Sequence, residues 1–138
     1  MNAAHTFRSL LAIGAGFLTL ASLVSLATAV MRRFAPQWTI REDGGPDAVD
    51  PGAASRIGMA VNLATGIIFA AMGGAVTAWL APARPLVHAL MLSLVVLILS
   101  ALAAHDLGRR TTAMYVLALL ALTPMATLGG GILVELLR

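Results

Sequence analysis

The chain has 138 residues, of which 59% are apolar types and only 11% are charged, against about 25% charged in an ordinary soluble domain. So short and apolar a chain cannot cover its own surface with polar groups, so most of its solvent must be lipid, and its length allows one compact unit and no second domain. All nine basic side chains are Arg and the net charge is +3. They flank apolar runs instead of clustering with aromatics, which excludes nucleic acid as a partner. The absence of Cys excludes disulfides, thiol redox chemistry and Cys-ligated metal.

Charge-free runs divide the sequence. No Asp, Glu, Lys or Arg occurs between Arg8 and Arg32, between Arg56 and Arg84, between Arg84 and Asp106, or between Arg110 and Glu135. Each run meets the roughly 20 residues that a helix needs to cross a ~30 Å hydrocarbon core. The runs are continuous and lack the alternation of barrel strands. The sequence therefore predicts an all-α polytopic membrane protein, with four transmembrane helices in an antiparallel bundle. The expected helices cover about residues 8–31, 57–81, 86–104 and 112–137, in a single membrane domain.

The first helix ends at Arg32 and Arg33, which read as a stop-transfer flank. Ala27-Thr28-Ala29 resembles a signal-peptide cleavage site, but the apolar stretch before it exceeds the usual 7–15 residues, so a retained span is expected. Residues 32–56 carry Glu42, Asp43, Asp47 and Asp50 with several Pro and Gly. They read as an exposed loop lying along the headgroups through Phe34 and Trp38. Its carboxylates lack the alternate spacing of a calcium loop, so no metal site is expected. The link Ala81-Pro82-Ala83-Arg84-Pro85 is a tight turn whose prolines stop one helix and start the next. The link from His105 to Thr111, with Asp106, Arg109 and Arg110, is a solvated turn. Short links are expected to make sequential helices neighbours.

The side with both longer links holds Arg32, Arg33, Arg41, Arg56, Arg109 and Arg110, and the other side Arg8, Arg84 and Arg138. This bias places loops 32–56 and 105–111 in the cytoplasm and both termini outside. Trp38 and Trp79 fall near opposite interfaces. Exclusive use of Arg with abundant Ala and Gly is typical of GC-rich bacterial genomes, and a bacterial inner membrane is the expected location.

Lipid tails are as apolar as Leu, so helices in a bilayer associate through close packing at small residues and through interhelical hydrogen bonds. The second helix has a stripe at every fourth residue: Gly58, Asn62, Gly66, Ala70, Gly74 and Ala78. Packing within the bundle is the expected use of that stripe, with a homo-oligomer interface the alternative. Asn62 is expected to hydrogen-bond to another helix, because its amide is costly in lipid. The third helix has a stripe of Ala89, Ser93, Val96, Ser100 and Ala103, opposite a bulky face of Leu90, Leu94, Leu97 and Ile98. Gly16, Ser22, Ser25 and Ala29 form a weaker set in the first helix. In the fourth, Pro124 removes one backbone bond and should kink the helix, with the Thr123 or Thr127 hydroxyl donating to the Leu120 carbonyl that is freed. Gly129, Gly130 and Gly131 read as close packing; a broken, substrate-binding helix is the other reading. Glu135 and Arg138 read as an interfacial ion pair.

Chemistry is thin. No carboxylate lies inside a span, no catalytic motif is present, and no catalytic residue, metal or cofactor is expected. His88 and His105 lie ~25 Å apart along a helix and cannot share a haem. His5 and His88 fall on one side and could form a bis-His site, the weakest of the readings considered.

The segments Gly73–Ala81, Pro85–Leu90 and Pro124–Gly130 resemble a loose group of uncharacterised four-span bacterial membrane proteins, over roughly the last 80 residues. The resemblance implies the architecture and no activity. The expected function is therefore a non-catalytic accessory or structural subunit of a larger inner-membrane complex of respiratory or photosynthetic type, with lipid and other membrane subunits as partners. A small homo-oligomeric transporter or channel is the alternative, and a haem-binding electron carrier the third reading.

Overall fold

In the computed structural model, residues 3–35, 54–107 and 112–138 are described, and they fold into four α-helices with no strand among them. These are α1 (Ala3–Phe34), α2 (Ala54–Leu80), α3 (Pro85–Leu107) and α4 (Ala113–Leu136). Each is long and apolar enough to cross a bilayer. The outer surface agrees with lipid as solvent, since Leu18, Ile68, Ile98, Leu117 and Leu133 are all more than half exposed. Trp38, Arg41, Glu42, Asp43, Asp47, Asp50, Arg109 and Arg110 lie outside the described residues, as do the side chains of His105 and Asp106.

The helices outrun the apolar runs that mark them, for local reasons. At 32 residues, α1 is ~48 Å long, well beyond the hydrocarbon core, so its ends lie among headgroups. Arg32 and Arg33 in its last turn complement the negative end of the helix dipole. Pro85 opens α3, where a missing N–H costs nothing. The preceding turn puts Arg84 at φ 50°. The flanking prolines have fixed φ, so much of the reversal falls on Arg84, whose carbonyl then accepts the Val87 N–H at 3.0 Å. Thr112 is extended and caps α4 through its side chain, which accepts the Tyr115 N–H at 3.4 Å. This places it just outside the helix, as an N-cap.

Inter-helix contacts fix the arrangement. α2 packs on α1, α3 and α4, most extensively on α4, while α1 and α4 make no close backbone approach among the described residues. The α2–α3 pair shares the shortest link yet packs less extensively than α2–α4. Sequence adjacency thus does not set the closest pair; the backbone approach permitted by glycine does. Asn62 meets Tyr115, and Arg138 meets Trp79, so α2 and α4 run parallel. Leu20 of α1, Ala70 of α2, and Leu92 and Val96 of α3 form the buried centre, with Ile13, Phe17, Phe69 and Ala126 packed against it.

α4 remains one helix through Pro124 and the glycine triplet, from Ala113 to Leu136. The expected compensation at Pro124 is different, however. Thr127 donates its hydroxyl to the Thr123 carbonyl at 3.0 Å, and the buried Thr123 hydroxyl has no partner. Neither one bonds the Leu120 carbonyl.

Candidate functional site: the seams of α2

Glycines bring backbone against backbone on two faces of α2. Toward α4, a Cβ built on Gly74 would fall 2.7 Å from the Thr127 carbonyl carbon, and one on Gly130 would fall 2.7 Å from the Ala71 carbonyl carbon. In both places the carbonyl oxygen is nearer still. The glycine Cα of each helix therefore faces a backbone carbonyl of the other, a reciprocal geometry that suits weak Cα–H···O contacts. Toward α1, a Cβ on Gly73 would lie 2.9 Å from the Gly16 oxygen, and one on Gly16 would lie 2.5 Å from the Gly73 oxygen and collide with the Thr77 hydroxyl. A Cβ on Gly131 would press on the Ala89 side chain of α3 and fall 3.8 Å from that of Ala78.

The expected stripe on α2 is thus only partly a contact line. Ala70, Gly74 and Ala78 are buried in it, and Gly58 is buried. Gly66 is half-buried, and a methyl group there would meet nothing within 4 Å. Asn62 donates its amide to the Tyr115 hydroxyl at 2.9 Å. On α3, Ala89, Ser93 and Val96 are buried, Ser100 is half-buried and Ala103 exposed. Leu90, Leu94, Leu97 and Ile98 face outward. On α1, Gly16 is buried, whereas Ser22, Ser25 and Ala29 are exposed. The third to fifth turns of α1, around Ala12, Gly16 and Leu20, carry its packing.

Several contacts escape a reading of residue spacing. Tyr115 is 6% exposed, being both the partner of Asn62 and adjacent to the α4 cap. Thr77 and Thr127 are fully buried. Thr127 returns its hydroxyl to its own helix, while the Thr77 hydroxyl has no partner. The signal for Gly73 and Thr77 was their four-residue spacing, which puts them on one helical face.

The end where α2 finishes and α3 begins carries the remaining polar groups. Arg138 donates to the Trp79 carbonyl in the last turn of α2, supplying one of the orphan carbonyls at that helix end. The expected pairing with Glu135 is not formed among the described residues: the guanidinium crosses to α2, and Glu135 is exposed. His88 places Nδ1 3.1 Å from the carbonyl of Arg84, in the turn that precedes its helix. His5 is exposed at the start of α1. Among the described residues no three metal-ligating side chains come together.

The geometry therefore describes a scaffold in which α2 is clasped on two faces, with polar groups used for packing and capping. No family model matches the chain, and neither the curated proteins nor the solved structures contain a match. The resemblance to four-span bacterial membrane proteins rests on its motifs alone.

Proposed function

We propose that the chain is a non-catalytic accessory or structural subunit of a larger complex in a bacterial inner membrane, of respiratory or photosynthetic type. The observation that carries this reading is the chemistry of the helix contacts. They are made by Gly, Ala, Thr and larger apolar side chains, with one amide–phenol pair, and there is no carboxylate, Arg or His among the buried residues described. Catalysis and proton-coupled transport need ionisable groups where the substrate passes. A scaffold needs close, static contacts, which these are.

α1 adds support. Its packing is concentrated at Ala12, Gly16 and Leu20, and Leu26, Val30 and Phe34 are exposed beyond it. A helix partnered over part of its length suits insertion among neighbouring subunits. In this reading loops 32–56 and 105–111 face the cytoplasm, in line with the Arg bias. The transporter alternative draws less from α4, which is continuous through Pro124 and uses Gly130 and Gly131 in packing.

The test is gentle detergent extraction of the native membrane, then native mass spectrometry and an absorbance scan of the particle that holds this chain. A hetero-complex of fixed stoichiometry is expected. A pigment-free monomer or homo-oligomer overturns the subunit reading and favours a transporter. A Soret band lost on His88→Ala would instead establish the haem carrier.

A further inference from the structure

We propose that Arg8 and Arg84 together hold the phosphate of one anionic phospholipid, at the end of the bundle where the α1–α2 seam meets the α2–α3 turn. The proposal is independent of the subunit reading.

Two lines of contact lead to this place. On α1, Ala12, Gly16 and Leu20 are buried at four-residue intervals, and Arg8 stands one turn before Ala12 on that same face. Along α2 and into the turn, Gly73, Thr77 and Ala81 are buried at the same interval, and Arg84 follows three residues later. The register of the seam brings the two ends level. A Cβ on Gly16 would fall 2.5 Å from the Gly73 oxygen and 3.0 Å from the Thr77 Cβ, and one on Gly73 would fall 3.1 Å from the Leu20 Cβ. The two helices are therefore antiparallel, with Gly16 level with a point between Gly73 and Thr77. Arg8 lies eight residues before Gly16, and Ala83 and Arg84 lie about as far beyond that point. The packing of α3 repeats this register. Leu20 and Val96 share one buried cluster, and they stand twelve residues after Arg8 and Arg84 respectively.

Both side chains are exposed, and neither guanidinium has a hydrogen-bond or ion-pair partner among the described residues. Arg138, at the same end, is already engaged by the Trp79 carbonyl. Glu135 is the one acidic residue whose side chain is described, and it belongs to α4, which makes no close backbone approach to α1. Two like charges brought level repel each other until an anion joins them. Guanidinium matches phosphate oxygens with paired N–H donors. The turn holds one of the two in place, since Arg84 sits at φ 50° between prolines and its carbonyl accepts the Val87 N–H.

The surroundings select a lipid over a free phosphate. Leu11 of α1 and Val87 and Leu90 of α3 are exposed one to two turns deeper, an apolar wall for acyl chains. A zwitterionic lipid would bring a further positive charge beside the two guanidiniums, so an anionic one is favoured.

The test is native mass spectrometry of the full chain in mild detergent, titrated with dioleoylphosphatidylglycerol or dioleoylphosphatidylcholine, which share acyl chains and differ in headgroup charge. One phosphatidylglycerol should bind several-fold more tightly than any phosphatidylcholine. Arg8→Gln and Arg84→Gln should each weaken that one site roughly fivefold, the factor expected for one basic residue at an anionic membrane surface. The double variant should fall to the phosphatidylcholine level. Arg56→Gln, at the opposite end of α2, should change nothing. Circular dichroism checks that each variant keeps its helices. Equal affinity of the unaltered protein for the two lipids overturns the proposal. So does a pair of equal phosphatidylglycerol sites of which each single variant loses one, because the two arginines would then act separately. An equal loss with Arg56→Gln also overturns it, since net charge alone would then explain the preference.

Discussion

Three consecutive glycines in α4 allow the contact argument to be tested one residue at a time. A methyl group on Gly129 would meet nothing within 4 Å, one on Gly131 would press on the Ala89 side chain, and one on Gly130 would strike the backbone of Ala71. Ordinary van der Waals contact begins at 3.4 Å, and the Ala71 carbonyl carbon would be 2.7 Å away. Gly130→Ala must therefore part α2 and α4 by at least about 0.7 Å, the shortfall between those distances. A gap of that size forfeits roughly a quarter to a half of each dispersion contact along the seam, and overpacking of this kind costs about 1–3 kcal/mol. Replacing a helical glycine by alanine returns up to ~1 kcal/mol. The net expectation is a loss of about 1–2 kcal/mol for Gly130→Ala, a smaller loss for Gly131→Ala because a side chain can yield, and no loss or a gain of up to ~1 kcal/mol for Gly129→Ala. Reversible unfolding in mixed micelles, titrated with sodium dodecyl sulfate and followed by circular dichroism, measures all three. Equal effects for the three variants, or a stabilised Gly130→Ala, would refute the backbone-to-backbone seam.

The remaining expectations use the same assay unless stated. Tyr115→Phe should cost about 0.6–1.7 kcal/mol, the measured scale of interhelical hydrogen bonds in membranes, and the loss should largely vanish in an Asn62→Leu background; an undiminished loss would mean that the hydroxyl acts through packing. Gly16→Ala should destabilise the α1–α2 pair, and adding Thr77→Ala should restore only part of the loss, because the Gly73 oxygen still lies 2.5 Å from the new methyl. Arg138→Ala should weaken the last turn of α2 by about 0.3–1 kcal/mol, seen as faster amide hydrogen exchange near Trp79 with no change around Asn62.

The four spans were legible because a bilayer imposes one simple constraint. Any charge inside the core is costly, so the intervals between Arg8, Arg32, Arg56, Arg84, Asp106, Arg110 and Glu135 delimit the helices to within a few residues. The ends were less legible because helices continue into the headgroups, where charge is tolerated, as Arg32 and Arg33 do in α1. The start of the fourth helix was not legible: Thr112, expected inside it, is extended and caps it, its oxygen serving the Tyr115 N–H. Asn62 announced itself by its cost in lipid, but its partner could not be read, since nothing in the sequence fixes the relative rotation of α2 and α4.

The contact faces were only half legible, and Gly66 shows why. It shares the four-residue repeat with Ala70, Gly74 and Ala78, and an added methyl would meet nothing within 4 Å there, whereas at Gly74 it would strike the Thr127 backbone. Two straight helices that approach to backbone contact can do so only near their closest point. That point is here fixed by Gly74 on Thr127 and Gly130 on Ala71. Away from it a small residue no longer draws the backbones together; it leaves a gap that longer side chains must bridge, as Asn62 and Tyr115 do. The same repeat thus has opposite consequences along one helix: tight contact where a glycine meets a carbonyl, and open space about two turns away. Which of these a given glycine produces depends on the partner helix, and Gly73 makes the point from the other side. It lies outside the repeat, and a methyl group there would still fall 2.9 Å from the Gly16 oxygen, because α1 approaches a different face of α2. A small-residue stripe therefore identifies a helix that others can approach, and the crossing point decides which of its residues they reach.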